Sequence, residues 1–195
     1  MDRTWKNFFN KNCLAPDKIQ QTSFLLAHRV LPVNELMIRR GQNSSTCALC
    51  LTPSEPESIC HAFWRCRTIS PIWDFFGPVL NKITGRRTLR KHTALGLVRR
   101  GDNLNRAQRH LVNFIVQHII HWLWWHRQQV TKTKCPTCVP IILQIIISQI
   151  KAQLKMQYQI LWARNGDTSH RQFSSTFALG DALCKIESGR LIFTI

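Results

Sequence analysis

Acidic side chains are scarce in this chain. Of 195 residues only 10 are Asp or Glu, scattered between Asp2 and Glu187, and only Glu55 and Glu57 sit close together. A carboxylate-rich metal site or an acid/base carboxylate pair is therefore poorly supplied. No glycine-rich loop suited to gripping phosphates stands out, and no Cys/His pair has an evident Asp or Asn partner. An independent hydrolase or nuclease is accordingly a poor fit. Long apolar runs are missing too. The longest, 139–150, is interrupted by Pro140, Gln144, Ser148 and Gln149, and falls short of the roughly 20 residues that span a bilayer. The start, Met1-Asp2-Arg3-Thr4-Trp5-Lys6, lacks the apolar run of a secretory signal. These absences predict an intracellular chain, in nucleus or cytoplasm, with no membrane partner. Internal repeats and low-complexity tracts are absent as well.

Positive charge is abundant. The chain carries 27 Lys and Arg for a net charge of +17, which makes a polyanion the expected partner, RNA or DNA first. From Lys82 to Arg109 there are nine cations and one acid, Asp102, a local charge of +8. Arg39, Arg40, Arg65 and Arg67 lie near a cluster of cysteines. With Lys82, Arg86, Arg87, Arg90 and Lys91 they form the candidate phosphate-binding set. Phe63 and Trp64 either stack on unpaired bases or pack the cysteine-containing segment against the next helix.

The chain is 44% hydrophobic, enough to bury a core. Its periodicity predicts a mainly α fold: a helical bundle with a small zinc-stabilised turn or hairpin module and a candidate short C-terminal strand. The expected parts are a helical pair at 1–41, a zinc-binding module with its following helix at 42–84, a basic connector at 85–109 and a helical region at 110–195. Within the pair, Asp17 is the expected cap of the first helix, Leu31-Pro32 its break and Pro32 the first turn of the second. Pro71 and Gly77-Pro78 predict interruptions in a helical stretch at 58–84. Two long helices are expected at 104–130 and 141–163. The second carries an inward stripe of Leu143, Ile147, Ile150, Leu154, Tyr158 and Leu161. Residues 164–176 read as a polar loop, 177–185 as a short helix and 189–195 as a strand.

Eight cysteines in an intracellular chain point to thiols or metal ligands rather than disulfides. Cys47 and Cys50 stand two residues apart in a turn-rich stretch. His61 follows after ten residues and Cys66 after four more. A tight turn lets both first thiolates face one centre, and a helical element brings His61 and Cys66 roughly onto one face. Three sulfurs and an imidazole complete a tetrahedral zinc shell with no open position, so one structural zinc site is expected. Cys60, beside His61, is an alternative third ligand, since adjacent helical positions hardly serve together. A second pair, Cys135 and Cys138, has His118, His121 and His126 before it. His118 and His121 share an apolar face with Phe114 and Trp125, which suits core histidines, so a second zinc site is not expected.

These residues resemble a known family. Leu31-Pro32, Arg39-Arg40-Gly41, Cys47-x-x-Cys50, Glu57-x-x-x-His61-x-Phe63-x-x-Cys66 and Ile72-Trp73 are similar to the zinc-binding region at the C-terminal end of LINE-type (non-LTR) retrotransposon reverse transcriptases. Trp122 to Arg127, Phe177, Leu183-Cys184-Lys185-Ile186 and Gly189-Arg190-Leu191 resemble its closing segments. The resemblance implies Cys47, Cys50, His61 and Cys66 as zinc ligands. It also implies a region that follows a polymerase domain and helps hold template RNA and target DNA. The polymerase core of that family needs an aromatic-x-Asp-Asp motif, and this chain has no Asp-Asp pair. The expected function is nucleic-acid binding without polymerase activity of its own. The competing expectation is a helical scaffold whose zinc only folds it, for which exposed Trp122, Trp124 and Trp125 would be the sign of a missing partner.

Overall fold

The computed structural model describes residues 15–38, 41, 46–51, 56–85, 104–136, 138–166 and 168–195. Most of the basic connector, with Arg86, Arg87, Arg90 and Lys91, lies outside them, as do Arg39 and Arg40. The described chain is mainly helical, with one two-stranded sheet.

Helix α1 spans Asp17–Ala27 and buries Ile19, Thr22, Ser23 and Leu26 on one face. Asp17 is inside its first turn rather than at the cap, which is Pro16. The helix also ends before Leu31-Pro32. Arg29 adopts a left-handed conformation (φ 56°), and the Val30 and Arg29 N–H groups reach back to the carbonyls of Leu25 and Leu26. This paired closure satisfies the terminal carbonyls three residues ahead of the expected break. Pro32 lies in the connection, and α2 spans only Asn34–Ile38.

Helix α3, Ser70–Thr84, begins with Pro71 in its first turn, where the missing N–H costs nothing. It continues through Gly77-Pro78, contrary to the expected interruption. Pro78 and Asp74, whose carbonyl loses its helical donor, both lie on the exposed side, where that carbonyl is not buried without a partner. Gly85 (φ 68°) then closes the helix, its N–H on the Asn81 carbonyl.

Helix α4, Arg106–Thr133, is the central element. Its start is fixed by a reciprocal cap: the Asn105 side chain accepts from the Gln108 N–H at 2.8 Å, and the Gln108 side chain accepts from the Asn105 N–H at 2.9 Å. Leu111, Val112, Phe114, Ile115, Val116, Ile119, Ile120 and Leu123 are buried around much of its circumference. It packs on α1, α3 and the two helices that follow. Helix α5, Val139–Asn165, turns inward through Ile142, Ile146, Ile150 and Leu154, with Ile147 beside them. Leu143, Tyr158 and Leu161, expected inside, are half-buried at the edges. At 27 residues α5 is long and apolar enough to cross a membrane, because the interrupting residues fall within the helix rather than ending it. Its inner stripe is packed against α4.

The expected polar loop at 164–176 is mostly helix α6, Thr168–Phe177. Its buried face, Ser169, Phe173 and Phe177, has only two apolar members, too few to show against the Gln and Ser around them. The expected helix at 177–185 is instead a single 3-10 turn, Leu179–Asp181, followed by strand β1, Cys184–Glu187. Strand β2, Arg190–Phe193, pairs with it antiparallel, so the C-terminus is a hairpin rather than one strand. One continuous apolar core runs from Ala15 to Cys184.

Candidate metal centre

The Cys47-x-x-Cys50 turn follows an antiparallel bridge between Thr46 and Pro56. The Leu51 N–H returns to the Cys47 carbonyl at 3.0 Å, with Leu51 in the left-handed region (φ 53°). The Leu49 N–H points at the Cys47 sulfur, 3.4 Å away. The other two ligands come from a π-helical turn, His61–Arg65. The Cys66 N–H bonds to the His61 carbonyl five residues back, at 2.9 Å. This widening matters. In an α-helix, residues five apart diverge around the axis, whereas an i→i+5 turn returns the chain almost over its own start. His61 and Cys66 therefore face one point. The Ser58 hydroxyl accepts the His61 N–H at 3.1 Å and caps the turn.

The four ligand atoms lie within 4.8 Å of one another, and all four residues are buried. The Cys47 and Cys66 sulfurs are 3.9 Å apart. A zinc tetrahedron with bonds of about 2.3 Å to sulfur has sulfur–sulfur edges near 3.8 Å. His61 Nε2 is 3.3 Å from the Cys50 sulfur, which fixes Nε2 as the ring atom facing the cluster. The donor set of three thiolates and one imidazole fits zinc and rejects hard cations. With four protein donors no coordination position is left for water, so the centre is structural. Cys60 is half-exposed and outside the cluster, so His61 takes the third place.

The hydrogen bond between the two sulfurs pushes the Cys47 thiol up and holds Cys66 down. Backbone N–H groups of Leu49 and Cys50 favour the Cys47 thiolate, and Thr68 favours that of Cys66. Such N–H···S bonds are the outer support a thiolate-ligated ion uses.

A second feature was not singled out in the sequence as a structural pair. Glu57, fully buried, meets Arg127 of α4 in a two-pronged ion pair: Arg127 Nε donates to Oε1 at 2.7 Å, and a terminal guanidinium nitrogen donates to Oε2. Arg127 also donates to the Asn34 side chain at 2.9 Å, and the Asn34 N–H donates to Glu57 Oε2 at 3.0 Å. The Asn34 amide in turn donates to the Thr46 carbonyl. The guanidinium sits 5.0 Å over the Trp124 ring. This network ties α2, the metal turn and α4 together. The available signal was compositional: Arg127 is the sole Lys or Arg between Arg109 and Lys132 of α4, and Glu57 is one of ten acids.

The aromatic residues finish the docking. Phe63 is 1% exposed and 6.1 Å from Trp124, and Trp64 packs on Trp73, whose indole N–H donates to the Phe63 carbonyl at 2.9 Å. Phe63 is thus packing rather than a base platform. Of the expected phosphate contacts within the described residues, Arg65 and Arg67 are exposed beside Cys66. Lys82 is exposed on α3, donating to the Asp181 carbonyl at 3.3 Å. His118 donates from Nδ1 to the Phe114 carbonyl at 2.7 Å, and His121 bonds to the Thr22 hydroxyl at 2.7 Å. Both are core histidines. Cys135 and Cys138 are exposed.

The site defines a class: a structural zinc module, with three cysteines and one histidine as ligands, locked onto a helical body. Residues 1–73 match the family model described as zinc-binding in reverse transcriptase, a stretch that contains all four ligands. That model describes an accessory zinc-binding region and not the catalytic polymerase core. No curated protein and no solved structure matches the chain.

Proposed function

We propose that this chain is a nucleic-acid-binding part of a LINE-type reverse transcriptase, holding template RNA or target DNA beside a polymerase domain without polymerising on its own. One observation carries this reading. Arg65 and Arg67 stand exposed on either side of the buried ligand Cys66, so an ion held there anchors the backbone that carries them. Phosphates are the natural counter-charge for such a pair in a chain of net charge +17. The absence of an Asp-Asp pair leaves no two-metal polymerase centre. Arg39, Arg40, Lys82, Arg86, Arg87, Arg90 and Lys91 extend the same charge, and action in the nucleus or cytoplasm follows from this role.

The scaffold alternative draws little from α4. Trp124 is buried and Trp122 half-buried, leaving Trp125 as the exposed member of that trio. Fluorescence anisotropy with labelled duplex DNA and RNA, over a salt series, decides between them. Reversing Arg65, Arg67 and Lys82 to Glu should weaken binding across sequences and flatten the plot of log K against log salt by nearly three on duplex DNA, about 0.9 per lost phosphate contact. Unchanged affinity and slope would leave the scaffold reading.

A further inference from the structure

The C-terminal half carries a second polar surface, remote in sequence from the zinc cluster. Lys151, Lys155, Tyr158 and Trp162 lie on one stripe of α5, at offsets of four, seven and eleven residues. The stripe is about 17 Å long at 1.5 Å per residue. Its neighbours are the hairpin and α6. The Lys151 ammonium lies 5.7 Å from the centre of the Phe193 ring. The Tyr158 hydroxyl donates to the Gly189 carbonyl at 2.9 Å and lies 3.2 Å from His170 Nδ1. Trp162 meets His170 edge-on, with centroids 4.9 Å apart, yet remains 45% exposed. Arg171 and Arg190 are exposed next to His170 and Gly189.

Charge on this face is one-sided. Neither α5 nor α6 contains an acid. Glu187 is engaged by Lys185. Asp181 lies in the 3-10 turn, and Asp167, between the helices, is outside the described residues. A large aromatic ring held open by a fixed neighbour, in line with two lysines and bordered by two arginines, matches what an unpaired strand needs. The cations meet phosphates, and the ring meets a base whose face is free. A duplex offers the charge but keeps its base faces covered.

We infer that Lys151, Lys155 and Trp162, with Arg171 and Arg190 at the border, form a single-strand nucleic-acid site separate from the cations around the zinc centre. The inference rests on the proposed function for its class of partner and adds where, and in which form, the strand is held.

The test uses the zinc-loaded full chain with labelled oligo(U), oligo(dT) and a duplex of equal length. Trp162→Ala should weaken both single strands about tenfold, the loss of one stacked base, and leave the duplex unchanged. Trp162→Phe should restore most of the loss, which separates stacking from misfolding. Lys151→Glu with Lys155→Glu should lower the single-strand salt dependence by about 1.4 in log–log slope. Photo-crosslinking to 5-bromouridine RNA should yield an adduct at Trp162. A preference for oligo(U) over oligo(dT) would point to RNA, and equal loss on both to a backbone-neutral site. The inference falls if the unaltered chain does not bind oligo(U), if Trp162→Ala binds single strands normally, or if it weakens the duplex equally. Reversal of Arg65, Arg67 and Lys82 is the separate control. If that reversal is silent while Trp162→Ala is not, the zinc-proximal surface fails and this one stands.

Discussion

The metal module and the helical body are held together by different forces. The described residues within 46–66 contribute few large apolar side chains to the core, Leu49 and Phe63 buried and Ile59 and Trp64 partly so, and their centre consists of polarisable sulfur and nitrogen. Helices α4 to α6 bury rows of Ile, Leu, Val and Phe. The body therefore rests on the distributed, forgiving hydrophobic effect. The module rests on a few directed bonds. Glu57 and Arg127 are the joint between the two regimes.

The contrast can be broken most severely at the metal. Structural zinc contributes on the order of 10–16 kcal/mol in finger peptides. Chelation, or Cys47→Ser, should open residues 46–66 while α4 to α6 stay protected, as read by hydrogen exchange. Uniform loss of protection would show that the body depends on the ion as well.

The joint comes next. Arg127→Ala leaves the Glu57 carboxylate buried without its ion partner, which costs about 3–5 kcal/mol. Urea unfolding should show that loss, and Arg127→Ala combined with Glu57→Leu should recover part of it. Losses of the two single variants that simply add in the double variant would mean that the two side chains act independently.

Acid probes the body through one buried imidazole. Burial pushes the His118 imidazole down to about 4, below its ordinary 6.5. The unfolded chain therefore binds more protons between those values. Stability from this group is full above pH 6.5, is lost as the pH falls to about 4, and is level below that. The loss is ~3 kcal/mol. Burial lowers His121 in the same direction. Because the zinc ligands also protonate in acid, the measurement is the difference between the unaltered chain and His118→Gln, whose stability curve should be flatter below pH 6.5.

The smallest effect concerns the start of α4. Asn105→Ala removes one half of the reciprocal cap and should cost ~1 kcal/mol by thermal denaturation. A much larger loss would mean that the Gln108 side chain, which also donates to the Ile83 carbonyl at 2.9 Å, depends on Asn105 for its place.

The ligands were legible in the sequence because their spacing is itself the chemistry. A Cys-x-x-Cys turn alone is ambiguous, as the exposed Cys135 and Cys138 show, but joined to the His61–Cys66 interval it completes a four-ligand set. The π-helical turn that aligns His61 with Cys66 was not legible, since the i→i+5 bond leaves no residue signature. Helix α4 was readable from its apolar repeat. Helix α6 was not, because Phe173 and Phe177 alone mark its inner face and Ser169 completes it. Proline misled in both directions. Pro78 is tolerated on an exposed face, and Leu31-Pro32 follows a helix already ended at Ala27. The Glu57–Arg127 pair joins residues 70 apart, a distance no local pattern spans.

Zinc K-edge X-ray absorption on the purified full chain, with metal content measured on the same sample, tests the central claim most directly. One zinc per chain, with three sulfurs at about 2.3 Å and one nitrogen near 2.0 Å, is the predicted result. A folded protein without zinc, or a shell in which oxygen replaces sulfur, would contradict it.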